Sequence, residues 1–161
     1  GLVRRLRVPV RPLPPLEAPV VAWHPGALAP DFDAASWRLQ SRWSDGPRLA
    51  TVVLATRFGA NQYGGRLRGE LRRGLQATHD LGVAAVYLRL RASNPEAADA
   101  WIGEDVLAPH RRGEKLPDAV LAGGAGERPR LVLEFGGAYD AARVADFHED
   151  CAERQLPYEL W

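Results

Sequence analysis

The sequence predicts an α/β (α+β) fold, in which a small mixed sheet is flanked by helices and preceded by an extended, Pro-rich N-terminal arm. Three observations lead there. The second half runs in the order helix, two strands, helix, strand, which packs as layers around a sheet. Residues 1–30, GLVRRLRVPVRPLPPLEAPVVAWHPGALAP, are dense in proline and have no helical period. The length of 161 residues, with 46% hydrophobic and 25% charged, gives room for one core but not two. The expected division is therefore an arm over 1–30 and a single α/β domain over 31–161.

Within the arm, Val20-Val21-Ala22-Trp23 is the one stretch that reads as an edge strand. Asp33 reads as the N-cap of a short helix through Gln40 that would bury Trp37 and stop before Asp45-Gly46-Pro47. LATVVLAT, residues 49–56, is β-branched and bounded by turn signals, so it predicts a strand. The segment after it, RFGANQYGGRLRGELRRG, combines five Arg, five Gly and a single acid. Mobile backbone with basic and aromatic side chains suits a phosphate-contacting loop, with Arg57, Arg66, Arg68, Arg72 and Arg73 as the contacts. A solvated surface loop explains the same composition equally well.

From Thr78, read as a cap, HDLGVAAVYLRLRA predicts a helix with Leu81, Ala85 and Leu88 on its apolar stripe and Val83, Val86 and Leu90 on an adjacent face. Asn94 followed by Pro95 starts another helix. The stretch from Trp101 to Leu107 either continues it or forms a first strand. Strands over 118–122 and 130–135 follow, joined by the hairpin turn Gly123-Gly124-Ala125-Gly126. Asp140 caps an amphipathic helix carrying Val144, Phe147, His148 and Cys151, and residues 156–161 close as an edge strand.

A net charge of +1 conceals a polarity. Residues 1–75 carry 12 Arg against 5 acids, and residues 76–161 carry 9 basic residues against 15 acids. Such polarity fits a basic face for nucleic acid beside an acidic site, or two halves that pair with each other. One cysteine, Cys151, excludes an internal disulfide framework and suits a reducing, cytoplasmic location. No apolar run approaches the roughly 20 residues of a spanning helix, so no membrane insertion is expected. Phosphate-loop, zinc, serine-hydrolase and dinucleotide signatures are all missing.

The chemistry concentrates on two carboxylates. Asp118 follows Pro117 at the start of one strand, where an Asp can bond its own backbone. Glu134 sits in the apolar run LVLEF, where an unpaired carboxylate costs several kcal/mol. Pairing with Arg143 or Arg130 would satisfy it, and so would a metal ion. His79 reads as assisting a helix start, His148 as a satisfied core histidine, and Cys151 as a small core residue.

PDAV, a Gly-rich turn and LVLEFG, between two helices, resemble the core of the PD-(D/E)xK nuclease superfamily. More narrowly, His79, Trp101 with Glu104, Pro117-Asp118-Ala119 and Leu133-Glu134-Phe135-Gly136-Gly137 resemble the replication-relaxation family of plasmid and mobile-element proteins, over approximately residues 76–161. The resemblance implies a restriction-endonuclease-like core in which Mg²⁺ or Mn²⁺ is held by Asp118 and Glu134, with Glu104 as a third ligand. It also implies a lysine two residues after Glu134, where this chain has Gly136. Lys115, the only lysine, is the substitute within reach in sequence. The expected function is a nucleic-acid-associated protein, acting on DNA before RNA, with metal-dependent phosphodiester hydrolysis lost or altered. The rival is a non-catalytic interaction module of a mobile element whose Pro-rich arm docks on a protein partner.

Overall fold

A computed structural model describes residues 1–63, 74–111 and 113–161. It is a mixed α/β fold with a small mixed sheet flanked by helices. Five short strands line up in the order β2 (Val21–Trp23), β7 (Tyr158–Leu160), β6 (Leu131–Glu134), β5 (Ala119–Leu121) and β4 (Trp101–Gly103). Neighbours are antiparallel except β6 and β7, which run parallel because helix α6 (Ala141–Glu153) carries the chain across between them.

Helices cover both faces of this sheet, and its strands read as continuous apolar runs for that reason. Alternate residues of β5 and β6 enter opposite cores. Val120 and Val132 pack with Val144 and Cys151 of α6, together with Leu39, Tyr158 and Leu160. Ala119, Leu121 and Leu133 pack with Val86 of α3 (Gly74–Ser93), together with Phe135 and Trp161.

The N-terminal segment is not a free arm. β1 (Val3–Val10) pairs antiparallel with β3 (Arg48–Ala55) over eight positions, forming a separate two-stranded ribbon, and β2 adds to the outer side of β7. β7 is consequently internal rather than an edge strand. The signal for β1 is its alternation: Arg4, Leu6, Val8 and Val10 turn inward while Val3, Arg5, Arg7 and Pro9 face solvent. Pro9 is tolerated because a ribbon edge needs no ladder donor there.

Helix starts also differ from expectation. Asp31, not Asp33, caps α1 (Phe32–Ser41), accepting from the Ala34 amide at 2.9 Å. Trp37 is 71% exposed, because it lies about 200° around the helix from both Ala35 and Leu39, which are buried. Thr78 lies inside α3 and accepts a hydrogen bond from the Arg11 amide. The inward stripe of α3 is His79, Gly82, Val83, Val86 and Leu90, with Leu88 63% exposed. Gly82 allows close packing, since a Cβ there would stand 2.3 Å from the Phe135 ring. Asn94, Pro95 and Asp140 act as read from the sequence: Asn94 caps α4 (Pro95–Asp99) and Asp140 caps α6. Trp101 opens β4, followed by the single turn α5 (Glu104–Leu107). After β3, Thr56 caps a further short helix, α2 (Arg57–Gln62), where a loop was expected.

Candidate functional site

The antiparallel register of β5 and β6 matches Ala119 with Leu133, and one step further sets Asp118 opposite Glu134. Like charges facing each other across a ladder destabilise it. The two carboxylates are accommodated because each accepts a main-chain hydrogen bond from the opposite strand's end. Asp118 Oδ2 accepts from the Phe135 amide at 2.7 Å, and Glu134 Oε2 accepts from the Asp118 amide at 3.1 Å.

The remaining oxygens are taken by side chains from the two flanking layers. His79 of α3 brings Nε2 to 3.2 Å from Asp118 Oδ1. Tyr139, at the entry to α6, donates its hydroxyl to Glu134 Oε1 at 2.5 Å. Arg143, one turn along, donates to the Tyr139 hydroxyl at 3.1 Å and stacks its guanidinium over that ring at 4.0 Å. All four carboxylate oxygens are thus engaged within the protein.

Proton affinities follow from this wiring. Burial, and then the charge of Asp118, push the Glu134 carboxyl up to about 7, against the hydrogen bonds from Tyr139 and the Asp118 amide. Hydrogen bonding to Asp118, and then to Asp80, raises the His79 imidazole to about 10, despite partial burial. At neutral pH His79 is therefore an imidazolium paired with Asp118, while Glu134 is divided between acid and carboxylate. Burial, and then Glu134, hold the Tyr139 phenol far above its ordinary range, so it remains a donor.

Beside Glu134 opens a cleft of ≈ 240 Å³. Its charged walls are Arg111, Lys115, Arg143 and Arg154 against Glu134, Asp146 and Asp150. Lys115 shares this cleft with Glu134, but its ammonium donates to the Asp146 carbonyl at 2.9 Å. Glu104 lies next to the pair through its backbone, its amide donating to the Asp118 carbonyl at 2.9 Å. Among the described residues no group of three or more His, Cys, Asp or Glu side chains is gathered to hold a metal ion.

Gly136 explains why a lysine two residues after Glu134 has no place in this chain. A Cβ at Gly136 would stand 2.8 Å from Leu160 Cδ1 and 3.2 Å from both methyls of Leu39. The position points into the core beneath α1, not into the cleft.

Sequence reasoning found Asp118 and Glu134 and missed how they are held. Glu134 pairs neither with Arg130 nor directly with Arg143, which reaches it through Tyr139. His79 is mid-helix and contacts Asp118. A signal for Tyr139 existed: Asp140 fixes the start of α6, which sets the preceding residue over the end of β6. His148 is the core histidine expected, with Nδ1 3.1 Å from the Tyr158 hydroxyl, and Cys151 is buried. Of the expected phosphate contacts, Arg57 is exposed at the first turn of α2, and Arg66, Arg68, Arg72 and Arg73 lie outside the described residues. Among the described residues no helix is long and apolar enough to cross a membrane. No protein-family model, curated protein or solved structure matches the chain.

Proposed function

We propose that the chain is a nucleic-acid-associated protein built on a nuclease-like core whose carboxylate pair serves structure and proton binding rather than phosphodiester hydrolysis. The observation that carries this reading is the committed state of the pair: four oxygens accept from His79, Tyr139 and two amides, and the motif lysine is replaced by a glycine that packs against Leu39 and Leu160. A hard divalent cation takes six or more oxygen ligands. Here it would compete with an imidazolium for Asp118 and with a phenol for Glu134, so the residues present do not fit a resident Mg²⁺ or Mn²⁺. Association with nucleic acid is supported by the charge polarity, 12 Arg against 5 acids in residues 1–75.

The interaction-module reading draws on one observation, the exposed side chains of Leu28 and Trp37. Incubating the protein with labelled single- and double-stranded DNA and RNA, with and without Mn²⁺, separates the readings. Salt-dependent binding without new cleavage products is expected. Mn²⁺-dependent cleavage that disappears in Asp118→Asn would restore an active nuclease, and no binding to any of the four would favour the interaction module.

A further inference from the structure

We infer that the solvent face of the β1–β3 ribbon is a docking surface for the major groove of duplex DNA, an inference that rests on the nucleic-acid reading above. The solvent face presents Arg5 and Arg7, exposed Arg48 stands at the ribbon's end, and neither strand carries an acidic residue. Register sorts the outward side chains into facing pairs: Val3 with Ala55, Arg5 with Val53, Arg7 with Thr51, and Pro9 with Leu49. All eight are exposed, Val3 and Val53 each at 58%.

The composition of this face matches what a groove offers. Arg5 and Arg7 are two residues apart on one strand and so about 6.8 Å apart, the axial distance spanned by two successive phosphate steps on a DNA strand. Between and beside them, Thr51 supplies a hydroxyl that bonds base edges, and Val3, Val53 and Leu49 supply apolar surface of the kind that meets thymine methyls. A two-stranded ribbon is narrow enough for the B-form major groove, about 12 Å wide, whereas the deep, narrow major groove of A-form RNA excludes it. Eight residues span roughly 27 Å, a large part of one helical turn.

The inner face anchors the ribbon without using these groups. Leu6, Val8 and Val10 turn inward, β1 packs on α3, the Arg11 amide bonds Thr78, and the Thr56 hydroxyl holds the Gly1 and Leu2 carbonyls. Removing the outward arginines therefore leaves the fold intact.

The test is the salt dependence of binding to a short duplex DNA, measured by fluorescence anisotropy for the parent, Arg5→Ala/Arg7→Ala, Arg5→Lys/Arg7→Lys and the exposed control Arg130→Ala. Loss of two phosphate contacts lowers the log–log slope by about 1.8 and weakens binding at least about tenfold, while the lysine pair and the control keep the parent slope. An unchanged slope in the alanine pair would overturn the ribbon surface and leave the nucleic-acid reading standing. Failure of the parent to bind any nucleic acid at low salt would overturn both. Equal affinity for duplex RNA would contradict groove insertion, and a dimer in sedimentation that Val53→Arg dissociates would assign the face to a second copy.

Discussion

The β5–β6 hairpin and the β1–β3 ribbon are the same local object, an antiparallel strand pair, placed in opposite environments. β5 and β6 lie inside a sheet with helices on both faces, and their two carboxylates, Asp118 and Glu134, face each other at one end, where every carboxylate oxygen is bonded. β1 and β3 form a sheet of two with one face in water, where Arg5 and Arg7 stand two residues apart. The contrast teaches that charge in a strand acquires its meaning from burial: a buried pair must be answered within the protein, whereas an exposed row is answered from solvent or by a partner.

The largest effects belong to the hairpin. Phe135, 2% exposed, touches Gly82, His79 and Trp43, so Phe135→Ala should cost about 3–5 kcal/mol in denaturant unfolding. Val53→Ala on the ribbon face should stay within about 0.5 kcal/mol. Equal losses at the two positions would erase the distinction between buried and solvated pairs.

Next comes pH. Glu134 is raised from 4.5 to about 7, so the folded protein binds the extra proton between those values and stability falls as pH rises through them. The full change is on the order of 3 kcal/mol. His79, raised from 6.5 to about 10, continues the decline: its pairing is fully present below pH 6.5 and is lost as pH rises through the folded value. Glu134→Gln should therefore flatten the stability profile between pH 4.5 and 7 and leave the slope above it. A parent profile that rises over that range would contradict the assignment.

Tyr139→Phe removes the donor to Glu134 and the acceptor for Arg143. A cost of roughly 1–3 kcal/mol is expected, larger above pH 7 than below, when the carboxylate is ionised without its partner. Chemical denaturation at two pH values checks both the size and the direction.

Much of this architecture was legible. The β5–β6 hairpin, β3, the Asn94-Pro95 start and the Asp140 cap all carry strong local signals, and Glu134 stood out because a carboxylate interrupts an apolar run. β1 was obscured by Pro9 within it and by the prolines that follow it, although basic and apolar residues alternate with period two from Arg5 to Val8. The burial of α1 and α3 depended on which side the sheet lies, which a stripe read in isolation does not contain; Trp37 and Leu88 both turned outward for that reason. His79 and Tyr139 come from opposite layers, separated by 60 residues of sequence, and only the packed sheet brings them to one carboxylate pair.

The central claim, that Asp118 and Glu134 form a bonded, proton-linked cluster and not a metal site, is tested most directly by the melting temperature of the parent at pH 8 with and without millimolar Mn²⁺, using Glu134→Gln as the reference. The account predicts no metal-dependent change in the parent or in Glu134→Gln. A rise with Mn²⁺ in the parent that vanishes in Glu134→Gln would contradict it.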